Sequence, residues 1–153
     1  MKINKTKGFT LIELMVVIAI MSIVAAIGSF SWQRYVNNSN LRTAARELVA
    51  DMANSKQRAV SEGVKYRMTI TAGSPGNYTI EQRNVADTAY TVISTKSPTA
   101  NGAGLYFNST NIIIFQPRGT NSTGTIVLKN SIGYTATITS NITGKTYVTF
   151  TQE

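Results

Sequence analysis

The hydrophobic pattern divides the chain into three stretches with different periods. Residues 9–30 form a run of 22 amino acids with a single charge, Glu13. At about 1.5 Å rise per residue, a helix of this length spans roughly 33 Å, enough to cross a bilayer. Residues 31–62 lack proline and glycine, and their apolar residues recur at helical spacing. Beyond Gly63, short alternating runs between turn residues are typical of β-strands.

The middle stretch, residues 31–62, predicts an amphipathic helix that continues the first and ends before Gly63. Charged side chains fall largely on its other faces, so the apolar face is expected to pack on a folded domain. Residues 37–40, Asn-Asn-Ser-Asn, are poor helix formers at which the helix is free to fray or bend. The predicted apolar face consists of Leu41, Ala44, Ala45, Leu48, Val49, Met52 and Ala59.

The third stretch, residues 63–153, predicts an antiparallel sheet with one face packed on the amphipathic helix. Turn residues separate its runs, among them Gly-Ser-Pro-Gly-Asn at 73–77 and Asn-Gly-Ala-Gly at 101–104. The fold class is therefore α+β, with a long N-terminal helix. Seven strands are predicted, over residues 64–71, 78–83, 90–95, 112–115, 125–129, 134–139 and 145–151.

A basic leader, residues 1–8 with three lysines, precedes the apolar run. Two ordinary interpretations apply to such an arrangement. A secretory signal peptide has a shorter, uncharged apolar region and a small-residue cleavage site. A plain membrane anchor has no reason to keep Glu13, because a carboxylate inside the bilayer costs about 2.5–3.5 kcal/mol. Composition alone leaves both interpretations open.

The motif Gly8-Phe9-Thr10-Leu11-Ile12-Glu13 resembles the class III leader signal of type IV pilins and of the pseudopilins of type II secretion. The resemblance implies that a prepilin peptidase cuts after Gly8 and that the new N-terminal residue, Phe9, is N-methylated. Residues 9–30 are then a transmembrane anchor and later a polymer core. Glu13 is expected to pair with the Phe9 amine of a neighbouring subunit, which cancels two charges in an apolar setting. The alternative is that Glu13 only reaches toward the cytoplasmic headgroups.

The same resemblance implies a location and a set of partners. The basic leader predicts a cytoplasmic N-terminus, so the protein is expected to be a single-pass protein of the bacterial inner membrane with a periplasmic C-terminal domain. The expected partners are other pilin or pseudopilin subunits, the prepilin peptidase, an inner-membrane assembly platform and the lipid bilayer. The fold implied is pilin-like, with residues 63–153 as its β-rich part.

The C-terminal half is similar to the GspH/FimT branch of pseudopilins. The similarity lies in Phe115-x-Pro117-Arg118-Gly119, in Gly-Thr-Ile at 124–126, and in the strand that opens with Gly144-Lys145. FimT-like members that take up DNA resemble one another in a Gly-Arg-x-Arg stretch at this last place. Here it reads Gly-Lys-Thr-Tyr, and because phosphate affinity grows with each basic contact, DNA binding is the weaker interpretation. Lys145 on an edge strand also discourages aggregation. The candidate DNA contacts are Lys145, Arg118 and Lys129.

Charge and composition narrow the function further. The net charge of +8 falls to +5 when the leader leaves, which is basic but not the density of a dedicated nucleic-acid binder. Cysteine and histidine are absent, so the common thiol and imidazole nucleophiles and metal ligands are missing. Glu47 and Asp51 share a helix face and could form an acid/base pair, but nearby basic residues favour a solvated charged face.

The sequence therefore predicts a minor pilin or pseudopilin rather than an enzyme, with no catalytic residue, metal or cofactor. Its function would be assembly into a type II secretion pseudopilus or a type IV pilus. The alternative from another class is a DNA-binding minor pilin for DNA uptake.

Overall fold

The computed structural model describes residues 8–84, 86–98 and 104–152, without the side chains at 27–31. Most of the predicted leader and the first three residues of the turn predicted at 101–104 lie outside the described residues. The chain forms two compact units, Met1–Val36 and Asn37–Glu153. Within the described part of the chain, no helix is both long enough and apolar enough for a membrane crossing.

One helix, α1, spans Leu11–Glu62. The helix ends at Glu62, as predicted. The next residue, Gly63, adopts a positive φ of 69°, a conformation that favours glycine and stops the helix. The start of the helix is two residues later than predicted. The helical assignment continues through residues 37–40. Here the Asn130 side-chain amide donates to the Asn37 carbonyl at 3.4 Å, so one member of the weak stretch is bound by the domain.

Within the described residues, eight strands follow the helix, and the structure confirms all seven predicted runs with ends that move by about one residue. The two-residue β4 was not predicted, because it is too short for an alternating pattern to show. The strands are β1 (Lys65–Thr71), β2 (Asn77–Arg83), β3 (Thr91–Lys96), β4 (Tyr106–Phe107), β5 (Asn111–Phe115), β6 (Gly124–Lys129), β7 (Tyr134–Ser140) and β8 (Thr146–Gln152).

The strands form two four-stranded antiparallel sheets, a division that the sequence did not predict. The first has the order β3-β2-β1-β5, and the second has the order β4-β6-β7-β8. Buried and less buried residues alternate along the strands, and the buried ones of both sheets contribute to one core. Examples are Tyr66, Met68 and Ile70 from β1, and Ile126 and Leu128 from β6. Each sheet has one apolar face, and both faces are buried in the same core.

The helix supplies the third side of this core. Every residue of the predicted apolar face is buried except Val49, which is half-buried against the core. Leu48 and Met52 are each 1% exposed, and they pack in one cluster with residues of both sheets. The helix-on-sheet arrangement predicted from sequence is thus confirmed, with residues 41–59 of α1 as the helical part of the core.

Candidate functional site

The start of α1 is a capping box built from Thr10 and Glu13. The Thr10 hydroxyl accepts a hydrogen bond from the Glu13 backbone N–H at 3.3 Å. In return, Glu13 Oε2 accepts from the Thr10 backbone N–H at 2.8 Å and from the Thr10 hydroxyl at 2.9 Å. This reciprocal pairing makes Thr10 the N-cap residue. It explains why the helix begins at Leu11 and not at Phe9.

Gly8 and Phe9 precede the helix and are exposed. Phe9 is 92% exposed. A Cβ built on Gly8 would meet no atom within 4 Å. Neither a positive φ nor close packing in the described chain therefore requires glycine at position 8.

The first helical turns after the cap carry an apolar surface on all sides. Large aliphatic side chains are 48–76% exposed here. An apolar surface of this extent on a protein marks a place where another molecule or a lipid covers it. The exposed aliphatic residues are Leu11, Ile12, Leu14, Met15, Val16, Val17, Ile18, Ile20, Met21, Ile23 and Val24.

Two of the three candidate DNA contacts, Lys129 and Lys145, lie near opposite ends of β7. Lys129 lies at the end of β6 that pairs with Thr135, whereas Lys145 is an exposed residue beside the other end of β7, where Ser140 pairs with Thr146. The register separates the two ends of this sheet by about 17 Å. At this separation Lys129 and Lys145 do not contact the same phosphate group.

Arg118 has a neighbour that the sequence did not reveal. It lines a cavity of about 490 Å³ with Lys65, the first residue of β1, and with Gln116, Pro117 and Thr120. Lys65 is more than 50 residues away in sequence, so no local motif connects the two cations. The pairing is a product of the fold.

The glycines of the GspH-like motifs have a structural role, because they allow two turns to pack together. Gly119 and Gly144 both adopt positive φ, at 81° and 76°. A Cβ on Gly144 would come within 2.9 Å of the Gly119 carbonyl oxygen. The Asn121 N–H donates to the Ile142 carbonyl at 3.2 Å, which joins the two turns. Lys56 of α1 donates to the Gly144 carbonyl at 3.2 Å and ties them to the helix.

The interpretation of Glu47 and Asp51 as a solvated charged face needs a correction for Asp51. Its side chain is only 14% exposed and pairs with Lys96 of β3. Helical spacing does not predict this partner, because Lys96 is 45 residues away and lies on a strand.

Two family profiles match the chain over separate regions. The prokaryotic N-terminal methylation motif matches residues 3–29. The profile described as type II transport protein GspH matches residues 44–144. The first region contains the capping box and the exposed apolar turns, and the second contains strands β1 to β7 of the two sheets. The methylation motif is a mark of pilin-type, membrane-anchored proteins.

Curated relatives are fimbrial proteins. Fimbrial protein Q of Moraxella bovis is 36% identical over 101 residues, 66% of this chain and 61% of the relative. A fimbrial protein of Pseudomonas aeruginosa is 33% identical over 98 residues, 64% of this chain and 54% of the relative. The chain thus spans between half and two thirds of the length of these two relatives.

Among solved structures, the fold is similar to the minor pseudopilin EpsH from the type 2 secretion system of Vibrio cholerae. The TM-score is 0.59, and the match covers 72% of this chain and 96% of EpsH. Sequence identity is 11%, so this likeness concerns the fold alone.

Proposed function

The chain belongs to the GspH family of type II transport proteins and is a minor pilin or pseudopilin, and from that premise we propose that it is processed, anchored in the inner membrane and assembled into a fibre. The fibre would be a type IV pilus or a type II secretion pseudopilus. One observation carries the proposal. A methylation motif and a GspH domain occur in one chain, and α1 runs from the first into the second.

Processing is proposed at Gly8. The described chain offers no conformational reason for this glycine, because a side chain there would meet nothing. The requirement is therefore external. A peptidase that grips an extended backbone needs the position without a side chain, and the exposed residues 8–10 present such a segment ahead of the helix. Cleavage there leaves Phe9 as the N-terminal residue, ready for methylation.

Anchoring is proposed through the exposed apolar turns of α1. Aliphatic side chains on every side of a helix fit a lipid surrounding in the free subunit and a packed helical core in the fibre. Glu13 is the one charge in residues 9–30. Basic residues in the leader favour an N-terminus that stays in the cytoplasm, which leaves the GspH domain in the periplasm.

Assembly is proposed to pair Glu13 with the Phe9 amine of a neighbouring subunit. Thr10 already binds Oε2 of Glu13, so the carboxylate is held in a fixed orientation at the helix start. Its remaining lone pairs can accept from an ammonium group. In an apolar fibre core this pair satisfies both charges and fixes the axial register between subunits.

The proposed partners follow from these steps: the prepilin peptidase for cleavage and methylation, an inner-membrane platform for extraction, and other pilin-type subunits in the fibre. Members of pilin and pseudopilin families are structural proteins. The protein is accordingly proposed to be a building block and not a catalyst.

Intact-mass analysis of membrane fractions tests the processing step. In cells with an active prepilin peptidase, the wild-type chain should lose residues 1–8 and gain one methyl group on Phe9. Gly8→Val should keep the leader, while Thr6→Val, a matched change inside the leader, should be cleaved normally. A wild-type chain that keeps its leader beside a peptidase that processes other prepilins would contradict the proposal.

A further inference from the structure

Two aromatic side chains stand exposed one helical turn apart, shortly after the apolar run. Trp32 is 70% exposed and Tyr35 is 69% exposed. Their ring centroids are 6.3 Å apart and the ring planes are inclined by 38°. Spaced three residues apart, they share one face of α1. Trp32 is the only tryptophan in the chain.

Exposure of this kind is unusual for large aromatic residues, which generally contribute to cores and interfaces. Neither residue belongs to the buried core, which begins at Leu41. The polar residues Gln33 and Arg34 lie between them and are exposed as well. Arg34 is the first charged residue after Glu13. The two rings thus mark the place where the chain changes from apolar to polar.

The position of the pair along the helix matches a bilayer thickness. From Leu11 to Trp32 a helix rises about 32 Å, and the hydrocarbon core of a bilayer is about 30 Å thick. If the helix starts at the cytoplasmic headgroups, Trp32 reaches the headgroups of the other leaflet. Tryptophan and tyrosine are enriched at this depth, because their rings are apolar and their N–H and O–H groups remain hydrated.

We propose that Trp32 and Tyr35, with Arg34 between them, form a lipid-headgroup anchor that fixes the depth of the helix at the periplasmic surface of the membrane. The inference rests on the proposed membrane anchoring. The indole N–H and the phenol O–H bind headgroup and ester oxygens, and the Arg34 guanidinium binds lipid phosphate. The compact unit that begins at Asn37 then starts two residues beyond the anchor, in water.

The single tryptophan makes the proposal directly measurable. The processed full-length chain is reconstituted at low protein density in phosphatidylcholine and phosphatidylglycerol vesicles, and binding is confirmed by flotation. Brominated lipids then quench the Trp32 emission from shallow or deep acyl positions. We expect a blue shift on reconstitution and a larger loss of intensity with shallow bromines than with deep ones.

Each other outcome overturns the inference in a distinguishable way. Flotation without a blue shift places Trp32 in water, and stronger quenching by deep bromines places it in the acyl core; both leave the membrane anchor intact. A blue shift without quenching shows that protein, such as a second subunit, covers the ring. A chain that does not float contradicts the proposed anchoring itself, and the headgroup role with it.

A substitution separates the pair from other exposed aromatics. Tyr35→Ser should reduce the difference between shallow and deep quenching of Trp32, because one of the two rings that hold the depth is missing. Tyr147→Ser is the matched control, since Tyr147 is 54% exposed on β8 within the folded domain. Equal quenching profiles for wild type and Tyr35→Ser would show that Tyr35 has no part in the anchor.

Discussion

The Lys96 ammonium of β3 lies 2.8 Å from Asp51 Oδ2 and 3.1 Å from Oδ1, so one ion pair joins the edge of the first sheet to α1. The Tyr78 hydroxyl of β2 donates to the same carboxylate at 2.7 Å. Glu47 adds a longer contact to Lys96 at 3.5 Å. The acidic pair therefore links helix and sheet.

Asp51→Asn is expected to lower the free energy of unfolding of the domain by about 1–3 kcal/mol. The substitution removes the charge that Lys96 and Tyr78 were arranged to bind, and a charged hydrogen bond contributes that much when its partners stay in place. Urea denaturation of the fragment that begins at Asn37 measures the change. Asp87→Asn on the exposed β2–β3 connection is the matched control and should stay within about 0.5 kcal/mol of wild type. Equal loss in both variants would contradict the role given to Asp51.

Stability is expected to fall as the pH rises from about 10 to 12. Burial, with a hydrogen bond to Glu62, raises the pKa of Tyr66 to about 12. Burial and the hydrogen bond to Asp51 raise the pKa of Tyr78 as well. Unfolded tyrosine ionises near pH 10, so above that pH the unfolded chain loses protons that the folded chain still holds. Between pH 10 and its pKa in the folded state, each phenol lowers the free energy of unfolding by about 1.4 kcal/mol per pH unit.

Denaturation midpoints at pH 8, 10 and 11.5 test this expectation, with Tyr66→Phe and Tyr78→Phe as variants. Each substitution removes one ionisable phenol and should flatten the fall. The hydrogen bond from Lys96 to Asp51 raises the pKa of Lys96, so a smaller fall remains in the double variant. A wild-type domain that is equally stable at pH 8 and 11.5 would show that the two phenols are not buried.

Leu48→Ala is expected to destabilise the same domain by about 2–5 kcal/mol, because it leaves a cavity between α1 and the sheets. Val60→Ala on the same helix is the matched control. Val60 is 50% exposed, compared with 1% for Leu48, so its substitution should change the free energy of unfolding by less than about 0.5 kcal/mol. If both variants melt at the wild-type temperature, the packed face of α1 has been assigned wrongly.

Local signals were sufficient to predict the helix and the strands. The spacing of Leu41, Leu48 and Met52 identifies the buried face, and alternation around Met68 or Ile138 identifies strands, since both patterns depend only on neighbours in sequence. Strand partners are different. Nothing in the residues of β5 and β6 says that they belong to different sheets, because pairing is decided by contacts distant in sequence.

The site shows the same limit. The leader motif predicted Gly8, Phe9 and Glu13 because their spacing is local, and the roles given to them stay predictions. The cavity shared by Arg118 and Lys65 and the pairing of Asp51 with Lys96 bring together residues from separate elements. The capping box is also a local signal, because Thr10 and Glu13 have the Thr-x-x-Glu spacing of such a box.

Substitutions can separate the helix-capping contacts of Glu13 from its proposed pairing in the fibre. Glutamine can replace glutamate in a capping box, so Glu13→Gln should keep the helix start while removing the charge. Thr10→Val has the opposite effect, because it removes the hydroxyl contacts and leaves the carboxylate. If Glu13 only caps the helix, Thr10→Val should be the more harmful change. If Glu13 pairs with the Phe9 amine in the fibre, Glu13→Gln should be the more harmful one.

The most direct test of fibre assembly is the amount of this protein that co-purifies with sheared fibres, divided by its amount in the membrane, for wild type, Glu13→Gln and Thr10→Val. We expect all three chains to be cleaved and inserted, and wild type and Thr10→Val to enter fibres. Glu13→Gln should be depleted by about tenfold or more, the effect of losing roughly 1.4 kcal/mol. Wild-type incorporation of Glu13→Gln, or the absence of the wild-type chain from fibres, would contradict the proposed pairing of Glu13 with Phe9.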